Sequence, residues 1–580
     1  MNPFTENRWD RRTFLVGSAR TATFFAASGS LPSEAFGNGI VHQGATVEPA
    51  LELFIKRYMD VMCAPGLTVG MLHADGRGTA ASFGLSDVAR NIPVKPEMLF
   101  QIGSISKSFC ALVLLQMREE GKLDLHRPIL EYLAWLPIEA PYGEITVHHL
   151  LTHSSGLPRN SPLFQSDRNA RIKQGFKPGT QFHYSNFGFV ILGCLAATLD
   201  GRTYASVLQK RILDPLGMTA TRPAISNAIR SDEAQSYVFY RDDLYGGPQA
   251  RLEVAPRLVF DASSGCVAST PEDMTRYMRM LANLGKGPKG PLVSEESFAL
   301  FTSPFIEAHE LGKGAHYGYG IAADMLDGHK LIQHTGGMRS FVSAMQVDLD
   351  SKVGAFVSIN AMQGYRPNPV TKYALQVMRA EADAKPVPQP EPIDNPREIE
   401  NAAEYVGAYA GEVSSLQVIA EGKSLVVLMD GNRIRLARTA GDKFVAEDSV
   451  WQRFPWVFSR GETEKSDAKK PVTELMFGPK WWANATYKEP KTFAAPKRFE
   501  AFAGCYDSGT SGFEVVICKG RLFAGGDPLA EIGHGLFRKT DEPNSPETIE
   551  FLHVVNGRSR MALVTGMPFP VTPYWRVELE

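Results

Sequence analysis

The distribution of apolar and polar positions divides the chain into two textures. Residues 51–62 repeat apolar positions at helical spacing and predict a helix. Residues 68–72 and 78–83 read as short strands turning around Asp75-Gly76, a hairpin signal. The apolar run 109–119 predicts a buried helix ending near Gly121. Residues 146–151 start another helix, stopped at Ser154-Ser-Gly-Leu-Pro, and 187–199 predict a core helix. Residues 341–349 and 354–360 alternate or run apolar as sheet strands do, and 370–381 close as a helix. Strands at both ends of a helical middle predict an α+β or three-layer domain over 47–380.

At 381–397 the texture changes. Pro386, Pro388, Pro390, Pro392 and Pro396 forbid a regular helix or a central strand, so this segment reads as a linker. Beyond it the candidate elements are short strands: 416–419, 424–429, 434–437, 443–446 and 474–477. Val406-Gly-Ala-Tyr409 and Ala503-Gly-Cys-Tyr506 open two similar passages. The reading is an internal duplication: two small antiparallel barrels or sandwiches, over 398–495 and 496–580.

Composition narrows the function. At 580 residues the chain exceeds one ordinary core, so several domains are expected. A net charge of -2, without a basic patch interleaved with aromatics, gives no reason to expect nucleic acid or an anionic membrane as partner. Residues 1–46 read as a leader. Asp10-Arg-Arg-Thr-Phe-Leu-Val resembles a twin-arginine export signal, and a mostly apolar or small-residue stretch follows over 14–31. The expectation is a periplasmic or secreted protein, the alternative a cytoplasmic one. Past the leader no apolar run approaches membrane-spanning length, so no transmembrane anchor is expected in the mature chain. None of the six cysteines forms a close pair of the zinc or redox kind. Cys63, Cys110, Cys194 and Cys266 read as small buried hydrophobes. Cys505 and Cys518 are candidates for a bridge between neighbouring strands in an exported protein, a connectivity that spacing alone does not set.

The chemistry concentrates in three short elements. Ser104-Ile-Ser-Lys107 opens the apolar helix and puts a hydroxyl and an amine one turn apart on one face. Ser104 is the candidate nucleophile and Lys107 the base or proton relay, a role that requires a lowered amine pKa. In Tyr184-Ser-Asn186, the Tyr184 phenol is the second proton-transfer group, able to take the Ser104 proton if cations favour phenolate. Asn186 is placed to turn its amide toward Lys107 and substrate. In His334-Thr335-Gly336-Gly337, glycine lets a strand edge approach a ligand, with Thr335 and Gly336 as substrate contacts. The backbone N–H groups of Ser104 and Gly337 are the candidate oxyanion hole, and His334 is a partner for Tyr184 or substrate. A second Ser-x-x-Lys, from Ser466 to Lys469, lies in a charged run and reads as a solvated loop; His42-Gln43-Gly44 mimics the third element. His148, His149 and His153 suggest metal ligands, with His149 and His153 at i,i+4, but no third ligand follows at a recognisable spacing. No metal and no cofactor are expected, and no phosphate-binding or dinucleotide fingerprint is evident.

Together these elements resemble the serine β-lactamase and penicillin-recognising superfamily, in particular its class C-like group of D,D-carboxypeptidases, D-aminopeptidases and β-lactamase-like esterases. Phe100-Gln-Ile-Gly-Ser104-Ile-Ser-Lys107, Tyr184-Ser-Asn186 and His334-Thr-Gly336-Gly337 carry the resemblance. Ile145-Thr-Val-His-His-Leu-Leu-Thr-His-Ser-Ser-Gly156 and Asp214-Pro-Leu-Gly-Met218 add to it. It implies a transpeptidase-like α+β domain with an antiparallel sheet flanked by helices, an acyl-enzyme, two proton-shuttling residues and no metal. The C-terminal half resembles the lipocalin-like barrels of three-domain D-aminopeptidases. Many relatives carry lysine where this chain has His334. Histidine supplies less positive charge at neutral pH, with Arg339 as a candidate substitute. The expectation is a serine hydrolase of small esters, amides or D-amino-acid peptides. The alternatives are D,D-carboxypeptidase or β-lactamase action on peptidoglycan-type substrates, and a non-catalytic peptidoglycan-binding module.

Overall fold

The computed structural model describes residues 42–164, 171–239, 252–312, 314–362, 366–412, 414–461, 470–508 and 512–572. The export-signal reading and the second Ser-x-x-Lys lie outside the described residues. Among the described residues, no helix is long and apolar enough to cross a membrane.

The first domain is built on a ten-stranded sheet. Its main path uses β1 (His42–Gly44), β2 (Gly66–Leu72), β3 (Gly78–Asp87), β4 (Ile306–Glu307), β5 (His316–Tyr317), β6 (Ala322–Leu326), β7 (His329–Gly337), β8 (Val342–Asp348) and β9 (Val353–Ile359). The order is β1-β3-β2-β9-β8-β7-β6-β5-β4, antiparallel throughout, with Ile92–Pro93 paired to β3 off this path. The His42-Gln43-Gly44 mimic is thus an edge strand.

Every residue of β2, β8 and β9 is buried, because helices cover both faces. On one face α1 (Pro49–Met62) and α5 (Asn368–Ala382) pack against Leu67, Val69, Met71, Ala355 and Val357. On the other lie α2 (Ser106–Glu119), α3 (Asn186–Asp200) and α4 (Pro271–Ala282), over Leu72, Met345, Val347 and Phe356. Alternation along each strand sends successive side chains to opposite layers. The Phe109 and Tyr277 rings stack at 3.9 Å, and the Tyr277 hydroxyl meets Ser108 at 2.8 Å, locking α2 to α4.

On the α2 side of the sheet, four buried hydroxyl residues stand abreast. Ser82, Thr68, Ser358 and Ser343 are cross-strand neighbours, and the row ends at Gly336 on β7. Their hydroxyls pair, Thr68 with Ser82 at 2.9 Å and Ser343 with Ser358 at 2.8 Å, satisfying groups that are costly to bury alone. The small end of this row receives the chain that leads to Ser104.

The Pro-rich segment contains no helix or strand from 385 to 395. It does not hang free: the Tyr373 hydroxyl donates to the Pro388 carbonyl at 3.0 Å, Lys372 pairs with Glu391, and Val387 and Ile393 pack beneath α5. Eight strands from Gly407–Ala410 to Lys480–Ala483 then form a closed antiparallel barrel, and eight from Gly504–Asp507 to Met567–Pro570 form a second antiparallel sheet. A bridge between Tyr506 and Val571 brings the second sheet close to closure. The two Gly-x-Tyr passages do the same job in each. The Tyr409 hydroxyl donates to the Tyr405 carbonyl and the Tyr506 hydroxyl to the Phe502 carbonyl, each at 2.8 Å and each just after a short 3₁₀ turn. Cys505 and Cys518 occupy neighbouring strands, but the register sets Cys505 opposite Glu514, so the two thiols do not face one another and the candidate bridge does not form.

Candidate active site

Ser104 enters the site on a tight turn. Phe100–Gln101 pairs with Ala268–Ser269, Ile102 N–H donates to the Val267 carbonyl, and Val267 N–H donates to Ser106 Oγ. The 3₁₀ turn Gly103–Ile105 then runs into α2. Gly103 has φ of 54°, the left-handed region glycine tolerates. A Cβ on Gly336 would stand 1.9 Å from the Ile102 carbonyl oxygen, so only glycine lets β7 lie this close under the turn that carries Ser104. Ser104 is half-buried while its neighbours from Phe100 to Leu115 are buried, so it alone of this run reaches partial exposure.

Lys107 is completely buried, and its amine is 3.0 Å from Ser104 Oγ, 2.7 Å from Asn186 Oδ1 and 2.8 Å from the Ser264 carbonyl. None of these acceptors is charged. Desolvation drives the amine pKa well below its ordinary value, with Arg159 pushing the same way. A neutral amine keeps two donated bonds, to Asn186 and Ser264, and turns its lone pair to the Ser104 O–H. An amine held this way is chemically able to accept the Ser104 proton.

The centroid of the Tyr184 ring lies 4.9 Å from the Lys107 amine, and Ser104 acts on its phenol. Burial raises its pKa, and Arg159 and Arg366 offset only part of that rise. The phenol therefore rests protonated. Desolvation thus works against the phenolate that the sequence reading made conditional on nearby cations. Asn186 begins α3, capped by Ser185 Oγ on Gly188 N–H at 2.9 Å, and its amide nitrogen donates to Asn160 Oδ1 at 3.0 Å. This second bond fixes which end of the amide faces Lys107.

His334 lies on β7 with its Nε2 2.8 Å from the Tyr317 hydroxyl and its ring centroid 6.3 Å from that of Tyr184. Burial, helped by Lys107, pulls its pKa down to about 3, so the ring is neutral. The third element thus brings no cation of its own. Gly337 closes the β7 edge against Gly103, whose added Cβ would meet the Gly337 nitrogen at 2.7 Å. Thr335 and Gly336 occupy β7 between them, and Arg339 is half-buried two residues beyond.

The cation beside the third element comes from a residue the sequence reading missed. Arg366, just before α5, brings its guanidinium within 2.9 Å of where a Gly337 Cβ would stand, and its charge acts on Tyr184. Nothing in the local spacing marks it. Arg159 was missed too: its guanidinium lies 5.5 Å from the Tyr184 ring centroid and is held by Glu310 at 3.0 Å.

The three histidines considered as metal ligands part company. The helix Val147–Leu151 ends before His153, which adopts φ of 56°. His149 Nδ1 accepts the N–H of the helix cap Thr146 at 3.1 Å, His148 bonds the Tyr319 hydroxyl at 2.9 Å, and His153 lies beneath Tyr184. Among the described residues, one His–Asp group has metal-like spacing: His329, Asp348 and Asp350. Arg379 already bridges Asp348 and Asp327 there.

Comparison with known proteins agrees with this geometry. The sequence profile of the Beta-lactamase family matches residues 51–377, more than half of the chain. Penicillin-binding protein 4* of Bacillus subtilis (strain 168) is 25% identical over 397 residues, covering 63% of this chain and 84% of that protein. A Beta-lactamase of Escherichia coli (strain K12) is 29% identical over 251 residues, covering 42% of this chain and 60% of the relative. Among solved structures, the octameric penicillin-binding protein homologue from Pyrococcus abyssi matches with a TM-score of 0.54 at 24% identity, over 74% of this chain and 98% of that one, a likeness of fold.

Proposed function

The chain belongs to the Beta-lactamase family and is a serine hydrolase, and from that premise we propose that Ser104 forms an acyl-enzyme with small esters, amides or D-amino-acid peptides. The observation that carries the mechanism is Lys107, fully buried among uncharged oxygens with its amine 3.0 Å from Ser104 Oγ. Ser104 Oγ attacks the carbonyl carbon as its proton passes to the Lys107 amine. The backbone N–H groups of Ser104 and Gly337 receive the oxyanion. Tyr184 gives its proton to the leaving group and is reprotonated from the Lys107 ammonium beside its ring, so the proton Lys107 took from Ser104 ends on Tyr184. Water then attacks the acyl carbonyl, with the proton transfers reversed. His334, neutral and bonded to Tyr317, orients the Tyr184 side of the site.

Arg366 favours a second reading, in which the leaving or acyl part bears a carboxylate, as in peptidoglycan-type or β-lactam substrates. A guanidinium beside Gly337 offers a charged bidentate partner that His334 does not. The C-terminal barrels, which we read as lipocalin-like, accompany both readings, as does an exported location.

The test is intact-mass measurement with activated esters, D-amino-acid amides and β-lactams. The wild-type enzyme is expected to gain an acyl adduct that Ser104→Ala lacks. An adduct persisting on the alanine variant would remove Ser104 from the mechanism. Turnover of neutral esters and amides above carboxylate-bearing analogues supports the first reading, and the reverse order supports the second.

A further inference from the structure

The second barrel reaches the rim of the catalytic centre through its segment 545–548. Pro546 lies against Gly175, where an added Cβ would come within 2.7 Å of the Pro546 nitrogen. The next residue, Glu547, turns its carboxylate to the catalytic domain. Its Oε1 accepts the Arg159 backbone N–H at 2.5 Å and lies 3.2 Å from His183 Nε2. Its Oε2 accepts the Thr565 hydroxyl at 3.2 Å, and Ser161 Oγ donates to the Thr565 carbonyl at 3.0 Å. Burial works against the Glu547 charge, yet the bonds to His183 and Arg159 hold the carboxyl below its ordinary value.

The residues gripped by this contact flank the chemistry. Asn160 follows Arg159 and accepts from Asn186, leaving the Asn186 carbonyl for Lys107. The Arg159 guanidinium lies over Tyr184, and His183 immediately precedes it in the chain. None of the Glu547 hydrogen bonds above goes to Ser104, Lys107 or Tyr184, so any effect on the reaction passes through these intermediaries.

We propose that Glu547 is a positioning residue of the active site, and that docking of the second barrel sets the orientation of Asn186 and Tyr184 around Ser104. The proposal rests on the acyl-enzyme reading above. It gives the distal barrel a part in catalysis although its strands begin some 400 residues after the nucleophile (Ser104 to Gly504). The physical reason is that the loop at 158–161 and the approach to Tyr184 are irregular backbone, which lacks a helical or sheet ladder to hold it. A bond to a carboxylate is stronger than a neutral one and fixes such a loop efficiently.

The experiment uses the full-length enzyme and an activated ester, with acylation followed by rapid-quench intact mass. Glu547→Ala is expected to slow acylation about 10- to 100-fold, with KM changed less than about twofold, the mark of misplacement rather than lost binding. Glu547→Gln keeps an oxygen for the Arg159 N–H without the charge and is expected to lose less of the rate than the alanine variant. Gly175→Ala removes no hydrogen-bonding group but displaces Pro546. It is expected to reproduce the kinetic loss, and the double variant to be no slower than the slower single one. Hydrogen exchange at the Arg159 amide should quicken in Glu547→Ala, which separates local release from global unfolding. Wild-type acylation by Glu547→Ala, a change confined to KM, or a glutamine variant as impaired as alanine each overturns the proposal. If the wild-type chain itself forms no adduct, the hydrolase mechanism falls and this inference with it; a normal wild type beside an unaffected Glu547→Ala sinks this inference alone.

Discussion

His153 holds Tyr184 from both sides in the chain and from below. Its carbonyl accepts the His183 N–H at 2.8 Å, its Nδ1 accepts the Ser185 N–H at 3.0 Å, and its ring centroid lies 4.2 Å from that of Tyr184. Burial, with Lys107 adding to it, keeps the imidazole neutral, which leaves Nδ1 free to accept. The His153 backbone sits at φ of 56°, in the left-handed region where glycine, asparagine, aspartate and histidine occur most readily.

Two variants therefore separate the acceptor from the ring. His153→Asn keeps a short-range acceptor for Ser185 and tolerates the backbone, while the support under Tyr184 is lost. His153→Phe keeps an aromatic ring and loses the acceptor. Both are expected to lower kcat about 10- to 100-fold with little change in KM, as displaced proton-transfer groups do. Steady-state kinetics alongside thermal melting checks this. A kcat equal to wild type in both variants would deny His153 a role in holding Tyr184.

Lys107 stores instability at neutral pH. Its folded pKa lies well below the unfolded value, so wherever the unfolded lysine is protonated the folded chain binds that proton less tightly. This cost is greatest at low pH and fades as pH rises toward about 10.4, the ordinary lysine value. Lys107→Met should thus abolish acylation while raising the melting temperature at pH 7, with the gain shrinking by pH 10. Melting curves at the two pH values decide it; a methionine variant less stable than wild type at pH 7 contradicts the assignment of a neutral buried amine.

His334 obeys the same sign over a different window. Its pKa falls from the ordinary 6.5 to about 3, so no penalty exists above the ordinary value and one accumulates as pH drops through the interval. Between pH 7 and pH 5 the loss approaches about 2 kcal/mol, at about 1.4 kcal/mol per unit below the unfolded pKa. His334→Asn should lose less stability over that range than wild type. Chemical denaturation at pH 7 and pH 5 measures the difference, and parallel losses in the two proteins would show that His334 titrates normally.

Arg366 and Arg339 compete for one role. If the guanidinium beside Gly337 reads a substrate carboxylate, Arg366→Ala should lower kcat/KM for a carboxylate-bearing substrate at least about 10-fold more than for its neutral ester analogue, the cost of a bidentate charged contact. Arg339→Ala should leave that ratio unchanged. Measuring both substrates in both variants separates the residues. A ratio moved by Arg339→Ala alone would return the role to Arg339.

Much of the site follows from short-range geometry and is legible along the chain. Ser104 and Lys107 meet because they are one helical turn apart, and Tyr184 and Asn186 because they straddle the start of α3. Apolar spacing likewise marks α2, α3, β8 and β9, since each element must bury a stripe or a face whatever it packs against. The repeated Gly-x-Tyr passages point to two barrels, because each tyrosine serves a local bond four residues back.

Tertiary packing decides the rest. Spacing alone pairs His149 with His153, but the helix stops at Leu151 and sends them to different neighbours. Arg366 reaches Gly337 because α5 packs across the sheet from α2, and Glu547 reaches Arg159 because a separate barrel docks there. Such contacts join residues far apart in the chain, so no local period records them. The pKa directions that lower the Lys107 amine and raise the Tyr184 phenol depend on the same packing. Desolvation is a property of the surroundings in space, and an isolated motif carries only the residues that will respond to it.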